Sequence, residues 1–541
     1  MNSEIKKDTF IKSATILIVA DIVVKVLGVF FKIPLANFIG EVGMGYFQTA
    51  YDLYLPFYSV AISGLPVLLS RLVARSVSLN DGNGVKSAFF SCRILFTVFG
   101  VIMTAAVVLC SLFLTFFGGA DDAKTAVYVI APCVLFSSLM GIYRGYFEGI
   151  NNMAPAAVSQ VIEALGKTVA GVAAAAVLKI CGFSVGIQAA GAAGGVLAGT
   201  VFGFLYLYFK FKRYGFKCSK KESTLPDGYM KFLFSLAVPI VVGSLITQIS
   251  GLVDVLTVQR GLSSMLFSDP QGIFEVYPGL SNGLINQGAA DVPAYLYGCF
   301  RGFATPIYAL VPNLTAVIGV GLVPSLTGFW ETGDREAANR TLHSVVKLTS
   351  VIAFPTAVGI FVLSRPLLEL LYSSKPYGAE IASHQLRILS LCAVFAGFSV
   401  PFTAVLQAVG KEKIPVANMF VGVVLKLAIN IFLVPRTEFN VNGAAIGTTV
   451  CYLYIFIADF IAIVRTTGFA PNLLKDFAFP VISAACSGLS AHFGHLLLSG
   501  FVSPKLSTVL SIALAVFVYL IFILLFKVIS PKEILKGGKF S

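Results

Sequence analysis

The chain has 541 residues, of which 57% are hydrophobic and only 12% charged, and it carries a formal net charge of +13. A soluble domain of this length would hold about twice that share of charge, and the cations gather in alternate loops, which argues for a polytopic membrane protein and against a nucleic-acid binder. The nine cysteines include no CxxC pair and the four histidines are scattered, with His492 and His495 the one close pair, so no metal centre is expected.

Apolar runs of about 20 residues or more recur along the whole chain. They centre near residues 23, 60, 102, 136, 167, 199, 243, 312, 354, 396, 425, 454, 485 and 518. The expected fold is therefore all-α, with about fourteen transmembrane helices. The polar start MNSEIKKDTF leads into a run too long for a signal peptide and without a small-residue cleavage site, so residues 9–37 are expected to form a retained first helix. In DIVVKVLGVFFK (21–32), Asp21, Lys25, Gly28 and Lys32 fall on one helical stripe. Lys25 stands one turn after Asp21 and can pair with it, whereas Lys32 has no acid in its own helix. Helix 2 has its own polar stripe, Gln48, Asp52, Ser59 and Ser63.

Gly141, Gly145 and Gly149, and later Gly191, Gly195, Gly199 and Gly203, make small-xxx-small faces suited to close helix packing. Glu163 and Lys167 sit at i, i+4 in helix 5, a self-pairing arrangement. Helix 7 holds Gln248 and Asp254, and a long outer loop is expected over 259–292 with no run able to span. Helix 8, from about 293 to 329, begins with Arg301, followed by Thr305 and Tyr308, and is expected to kink at Pro306 and Pro312. Helix 11 carries Lys426 and Asn430 one turn apart. The last run, VLSIALAVFVYLIFILLF (509–526), has no charge and reads as lipid-exposed.

One set of loops receives Lys6, Lys7 and Lys12; Arg71, Arg75 and Lys86; Arg144; the run KFKRYGFKCSKK (210–221); Arg335, Arg340 and Lys347; Lys411 and Lys413; Lys475; and the terminal lysines from Lys527 onward. The opposite loops are poor in cations, and one is the acidic GGADDAK (118–124). The positive-inside rule then places both termini in the cytoplasm.

The two halves echo each other. GLPVLLSRLVA (64–74) has a counterpart in GLVPSLTGFWE (321–331), EGINNMAP (148–155) in VGKEKIP (409–415), and GAAGG (191–195) in GAAIG (443–447). The spacing implies two parallel six-helix repeats with a site near the midplane. The N-terminal lobe is read as 1–212, a cytoplasmic linker as 213–228, the C-terminal lobe as 229–468, and two appended helices with a tail as 469–541.

A charge at the centre of a membrane helix costs roughly 2.5–3.5 kcal/mol on insertion scales, and such residues usually face a bundle interior or a wet cavity. Lys25, Lys32 and Arg301 exceed the nearby acids, which suits an anionic solute such as a diphosphate. Gln48, Asp52 and Ser59 are the polar groups expected to meet sugar or peptide. Asp254 with Lys426 reads equally as a structural pair or as a coupling pair. No phosphate-cradling P-loop is present, so no ATP-binding domain is expected.

KVLGVFFKIPLANFIGEVGMGYFQTAYDLY (25–54), SGLPVLLSRLVA (63–74), KEKIPVANMFVGVVLKLAINIFLVP (411–435) and NGAAIGTTV (442–450) together resemble the stage V sporulation protein B group of polysaccharide transporters, in the multidrug/oligosaccharidyl-lipid/polysaccharide exporter superfamily. The resemblance spans nearly the whole chain. It implies a non-enzymatic flippase that moves an undecaprenyl-diphosphate-linked oligosaccharide, lipid II foremost, from inner to outer leaflet by alternating access. Cations of helices 1, 2 and 8 meet the diphosphate in such relatives; Lys25 and Arg301 fill two of those places, and helix 2 offers no match until Arg71. The family also implies a groove of helices 13 and 14 for the polyprenyl tail. Some relatives bind sodium between helices 7, 11 and 12, where Asp254, Asn430 and Thr448 offer oxygens and Lys426 offers a competing ammonium; no other cofactor is implied.

The expected partners are the lipid-linked glycan, membrane lipids and cell-wall synthesis enzymes, with no nucleic acid and with one chain sufficient for transport. The expected location is the bacterial cytoplasmic membrane. Rival readings are export of a teichoic acid or capsule precursor, a drug/cation antiporter, and a glycan-polymerising enzyme using Asp269, Glu275 and Asp291 of the outer loop.

Overall fold

The computed structural model describes residues 2–112, 121–214, 229–280 and 291–528. Most of the expected linker at 213–228, the start of the acidic loop and the lysines beyond residue 528 lie outside them. Among the described residues there is no strand. In chain order the helices are α1 (Asn2–Ser59), α2 (Leu65–Ser78), α3 (Gly82–Leu112), α4 (Asp122–Ile130), α5 (Pro132–Gly149), α6 (Ala154–Ile180), α7 (Val185–Tyr214), α8 (Tyr229–Ser268), α9 (Pro270–Val276) and α10 (Asp291–Tyr297). They continue with α11 (Thr305–Tyr308), α12 (Leu310–Thr332), α13 (Arg335–Val362), α14 (Ser364–Leu371), α15 (Pro376–Ala408), α16 (Lys413–Leu433), α17 (Asn442–Thr467), α18 (Phe479–Leu498) and α19 (Pro504–Leu525). Segments of π-helix join several of them, at Val60–Gly64, Gly298–Ala304 and Leu473–Ala478.

Twelve helical stretches among the described residues are long and apolar enough to cross a membrane. The first, Val19–Ser78, contains two spans. Gly40 divides them, with φ 73 and ψ −170, a backbone state that costs glycine little. Unbroken, α1 would run about 87 Å at 1.5 Å per residue, far beyond a bilayer core of about 30 Å. With the second span of that stretch and the 40-residue α8, the count reaches the expected fourteen.

The expected kinks in helix 8 are present: π-helix occupies 298–304, Pro306 opens α11, and Ala309 separates α11 from α12. The outer loop is shorter than expected, because α8 stays helical to Ser268 and α9 follows at once. Asp269 caps α9 by accepting from the Gly272 amide at 3.0 Å. At the end of α12, Gly333 takes the left-handed conformation and Asp334 caps α13, so a two-residue turn reverses the chain.

Packing divides the chain into two compact units. One comprises Met1–Ser268 with Leu280–Gly298, the other Asp269–Gly279 with Cys299–Ser541. In the first unit α8 packs against α1, so this division differs from the repeat boundary read from sequence, which gave 229–268 to the second lobe.

The glycine faces bring helices together backbone to backbone. A Cβ on Gly195 would lie 2.1 Å from the Cα of Gly171, and one on Gly199 would lie 2.4 Å from the carbonyl oxygen of Glu163. Gly145 likewise sets α5 against the carbonyl of Pro66. In the second unit, α18 and α19 pair and dock on α13: the Ser487 hydroxyl donates to the Ala515 carbonyl at 2.7 Å, and the Tyr519 hydroxyl to the Val351 carbonyl at 3.0 Å. The outward face of α19, with Val516, Phe517, Leu520 and Leu525, is exposed, as a lipid-facing helix requires.

Candidate functional site

The first unit contains a cavity of about 300 Å³ whose polar wall includes Asp21, Tyr51, Tyr58, Arg144, Glu163 and Lys167. Both spans of α1 and the helices α5 and α6 build it. Beyond Gly40, the second span of α1 presents Phe47, Tyr51, Tyr54 and Tyr58 at successive turns, and their rings pack in edge-on, stacked and tilted contacts along a ladder that begins at Phe31, with centroids 5.1–5.9 Å apart. Tyr51, Tyr54 and Tyr58 of this ladder line the cavity.

The expected Glu163–Lys167 pair does not form. Glu163 instead receives Arg144 at 3.0 Å and the Tyr58 hydroxyl at 2.8 Å. Arg144, expected as a loop cation, is buried inside α5 at 2% exposure. The reason is geometric. Ser159 and Glu163 stand one turn apart on α6, and Arg144 reaches both, donating from Nε to the Ser159 hydroxyl at 2.9 Å. A guanidinium forks across two acceptors better than a lysine one turn away could.

Lys167 is thereby released from its own helix. Its Nζ donates to the Tyr51 hydroxyl at 3.0 Å and lies 4.6 Å from the centre of the Tyr51 ring and 4.9 Å from that of Phe31. Among the described residues no carboxylate is within ion-pairing reach of it. An ammonium held by a phenol and two aromatic faces keeps its charge available to an incoming anion.

The α1 stripe behaves as the sequence implies at its first pair: Lys25 meets Asp21 at 3.0 Å. Lys32 donates to the Gln48 carboxamide oxygen at 3.3 Å, Gln48 donates to Asp52 at 2.8 Å, and the Tyr297 hydroxyl donates to the other Asp52 oxygen at 2.9 Å. Three candidate headgroup residues therefore form one relay. Gln48 and Asp52 are buried within it, at 2% and 0% exposure, rather than lining open space. The Ser59 hydroxyl donates to the Pro56 carbonyl at 2.9 Å. Asp254, also in the first unit, is fully buried.

Arg301 lies in the second unit, half-buried within the π-helical segment 298–304. Lys426, Asn430 and Thr448 are buried in that unit too. There the Asn430 carboxamide oxygen abuts Gly447, and the Thr448 hydroxyl donates to the Ala444 carbonyl at 2.9 Å. Of the three oxygens named as possible sodium ligands, those of Asn430 and Thr448 thus belong to the second unit and those of Asp254 to the first. The loop acids are held by local partners. Asp269 accepts from Gly272 and Thr437, Asp291 accepts from the Tyr46 hydroxyl, and the two acids belong to different units.

Fourteen spans of helix with ion pairs and relays buried inside them define a membrane transporter. Residues 10–277 match the family described as polysaccharide biosynthesis protein, and residues 301–432 match MatE. The chain is thus similar to the stage V sporulation protein B-like polysaccharide transporters and to the lipid II flippases and MATE transporters of the same superfamily. Stage V sporulation protein B of Bacillus subtilis (strain 168) is 25% identical over 555 residues, covering 98% of this chain and 97% of its own. Lipid II flippase MurJ of the same organism is 24% identical over 521 residues, covering 93% and 90%. A solved lipid II flippase MurJ, in an inward closed conformation, shares the fold with a TM-score of 0.68 at 18% identity over 94% of this chain and 98% of that one. An inward-facing multidrug resistance MATE family transporter does so with a TM-score of 0.64 at 14% identity, over 84% and 98%.

Proposed function

We propose that this chain is a flippase for an undecaprenyl-diphosphate-linked oligosaccharide, with lipid II as its substrate, moving the headgroup from inner to outer leaflet by alternating access. The observation that carries the reading is Lys167: a cation in a cavity wall, cradled by aromatic rings and, among the described residues, with no carboxylate within ion-pairing reach. Such a group attracts a diphosphate without holding it permanently. Lys25 and Lys32 add positive groups to α1, Arg301 is the candidate headgroup cation of the second unit, and the exposed apolar faces of α18 and α19 offer the polyprenyl tail a place in the lipid. A relative matched over 90% of its own length, the lipid II flippase MurJ of Bacillus subtilis (strain 168), supports the substrate class by its name.

The test is rescue of a bacterium depleted of its own lipid II flippase, at matched membrane levels. Wild type should restore growth, and Lys25→Glu and Arg301→Glu should fail. Rescue by both variants would remove those residues from the site. Failure of the wild type, with the protein folded in the membrane, would move the substrate to another undecaprenyl-linked glycan such as a teichoic acid or capsule precursor. The family match to polysaccharide biosynthesis proteins favours that second reading.

A further inference from the structure

In the second unit α16 and α17 run antiparallel in a register that opposes Asn418 to Asp459, Gly422 to Ile455, and Asn430 to Gly447. Asp459 is fully buried, at 0% exposure. One of its oxygens accepts from the Asn418 amide at 2.8 Å, and the other is buried with no hydrogen-bond partner among the described residues.

Among the described residues no cation forms an ion pair with it. The elements packed along α17 are α15 and α16. Level with Asp459, α15 presents Phe398 and Phe402, which pack on Phe456, while Phe402 also stacks on Phe460. The charged groups of α15, namely Glu380, His384 and Arg387, all precede Phe398 by eleven residues or more. On α16, Lys413 is exposed at the helix start and Lys426 lies two turns beyond Asn418. Arg465 stands six residues further along α17, near its end. Phe477 of the 473–478 segment touches Phe460, but Lys475 there is exposed and Asp476 is bound to His343.

An ionised carboxylate in such a setting is strongly disfavoured, because burial removes its hydration and a single amide returns little of it. A metal cation fits no better, since Asn418 turns its NH₂ towards the acid and aromatic rings fill the surroundings. A proton is the one ligand that neutralises the charge without needing further oxygens.

We propose that Asp459, oriented by Asn418, is a proton-binding site that couples proton movement to transport. Protonation stabilises Asp459 in this buried state, and deprotonation requires the site to reach water, so occupancy of the carboxylate by a proton biases the conformational cycle. The proton is taken up on one side of the membrane and released from the same oxygen on the other. The coupling part rests on the transport reading above; the proton site does not.

The test has two readouts on the purified full-length chain. Infrared difference spectroscopy during a pH titration should show a protonated-carboxylic-acid carbonyl band that appears as pH falls, is lost in Asp459→Asn and shifts in Asn418→Ala. Flipping of lipid II in proteoliposomes should be accelerated by a pH gradient in wild type and Asp459→Glu, and should lose that acceleration in Asp459→Asn. A band unchanged in Asp459→Asn, or one that never titrates, overturns the site. Flipping by wild type that ignores the gradient overturns the coupling. A titrating band with no flipping of lipid II by wild type would leave the proton site standing and count against the substrate reading instead.

Discussion

At the scale of single residues, the contest for Glu163 decides the character of the cavity. Sequence spacing pairs it with Lys167, and the folded chain gives it to Arg144, nineteen residues away across a turn. Periodicity sees partners within one helix and is blind to those on its neighbour, so Arg144 reads as a loop cation and Tyr51 as one more aromatic. The 47, 51, 54, 58 spacing was the available signal for the ladder, since those positions share one helical face. Removing one partner of this buried pair should be costly: Glu163→Gln or Arg144→Leu should each destabilise the protein by about 3–5 kcal/mol, because a buried charge is left alone. Unfolding in mixed micelles would measure it. Lys167→Met should leave stability within about 1 kcal/mol, as it removes a charge that no carboxylate among the described residues pairs with, while abolishing rescue; Lys167→Arg should retain part of it. Rescue by Lys167→Met would take the ammonium out of substrate binding.

At the scale of elements, the small-residue faces are the most legible feature of the sequence. Four glycines at intervals of four in α7 were read as a packing face, and the backbones of α6 and α7 do touch there. Gly195→Val should destabilise by about 1–3 kcal/mol, the usual cost of forcing extra methyl groups into a full interface, because its Cβ alone would overlap Gly171. Gly28, which has nothing within 4 Å of an added Cβ, should accept alanine with no loss of melting temperature and provides the control. The boundary of α8 was less legible. Its end at Ser268 lies in a stretch rich in Ser, Asp, Pro and Gly that reads as loop, yet the Asp269 cap and Pro270 start a new helix without an intervening coil.

At the scale of the whole molecule, the cation pattern predicts that both termini face the cytoplasm, as an even number of spans requires of termini on one side. Cys181, in the short turn between α6 and α7, is exposed, whereas Cys218 belongs to the basic stretch at the other end of α7. A membrane-impermeant thiol reagent applied to intact cells should therefore label Cys181 and spare Cys218, and Cys181→Ser should abolish the signal; labelling that survives this change would reverse the topology. Such handles must be chosen with care in this chain. At Gly40 two spans meet with a single residue for a loop, so nothing can be spliced between them without unwinding a membrane helix. Epitope tags, protease sites and fluorescent reporters are excluded from that connection, and chain-length variation among relatives should be suppressed at this position while it accumulates at 213–228.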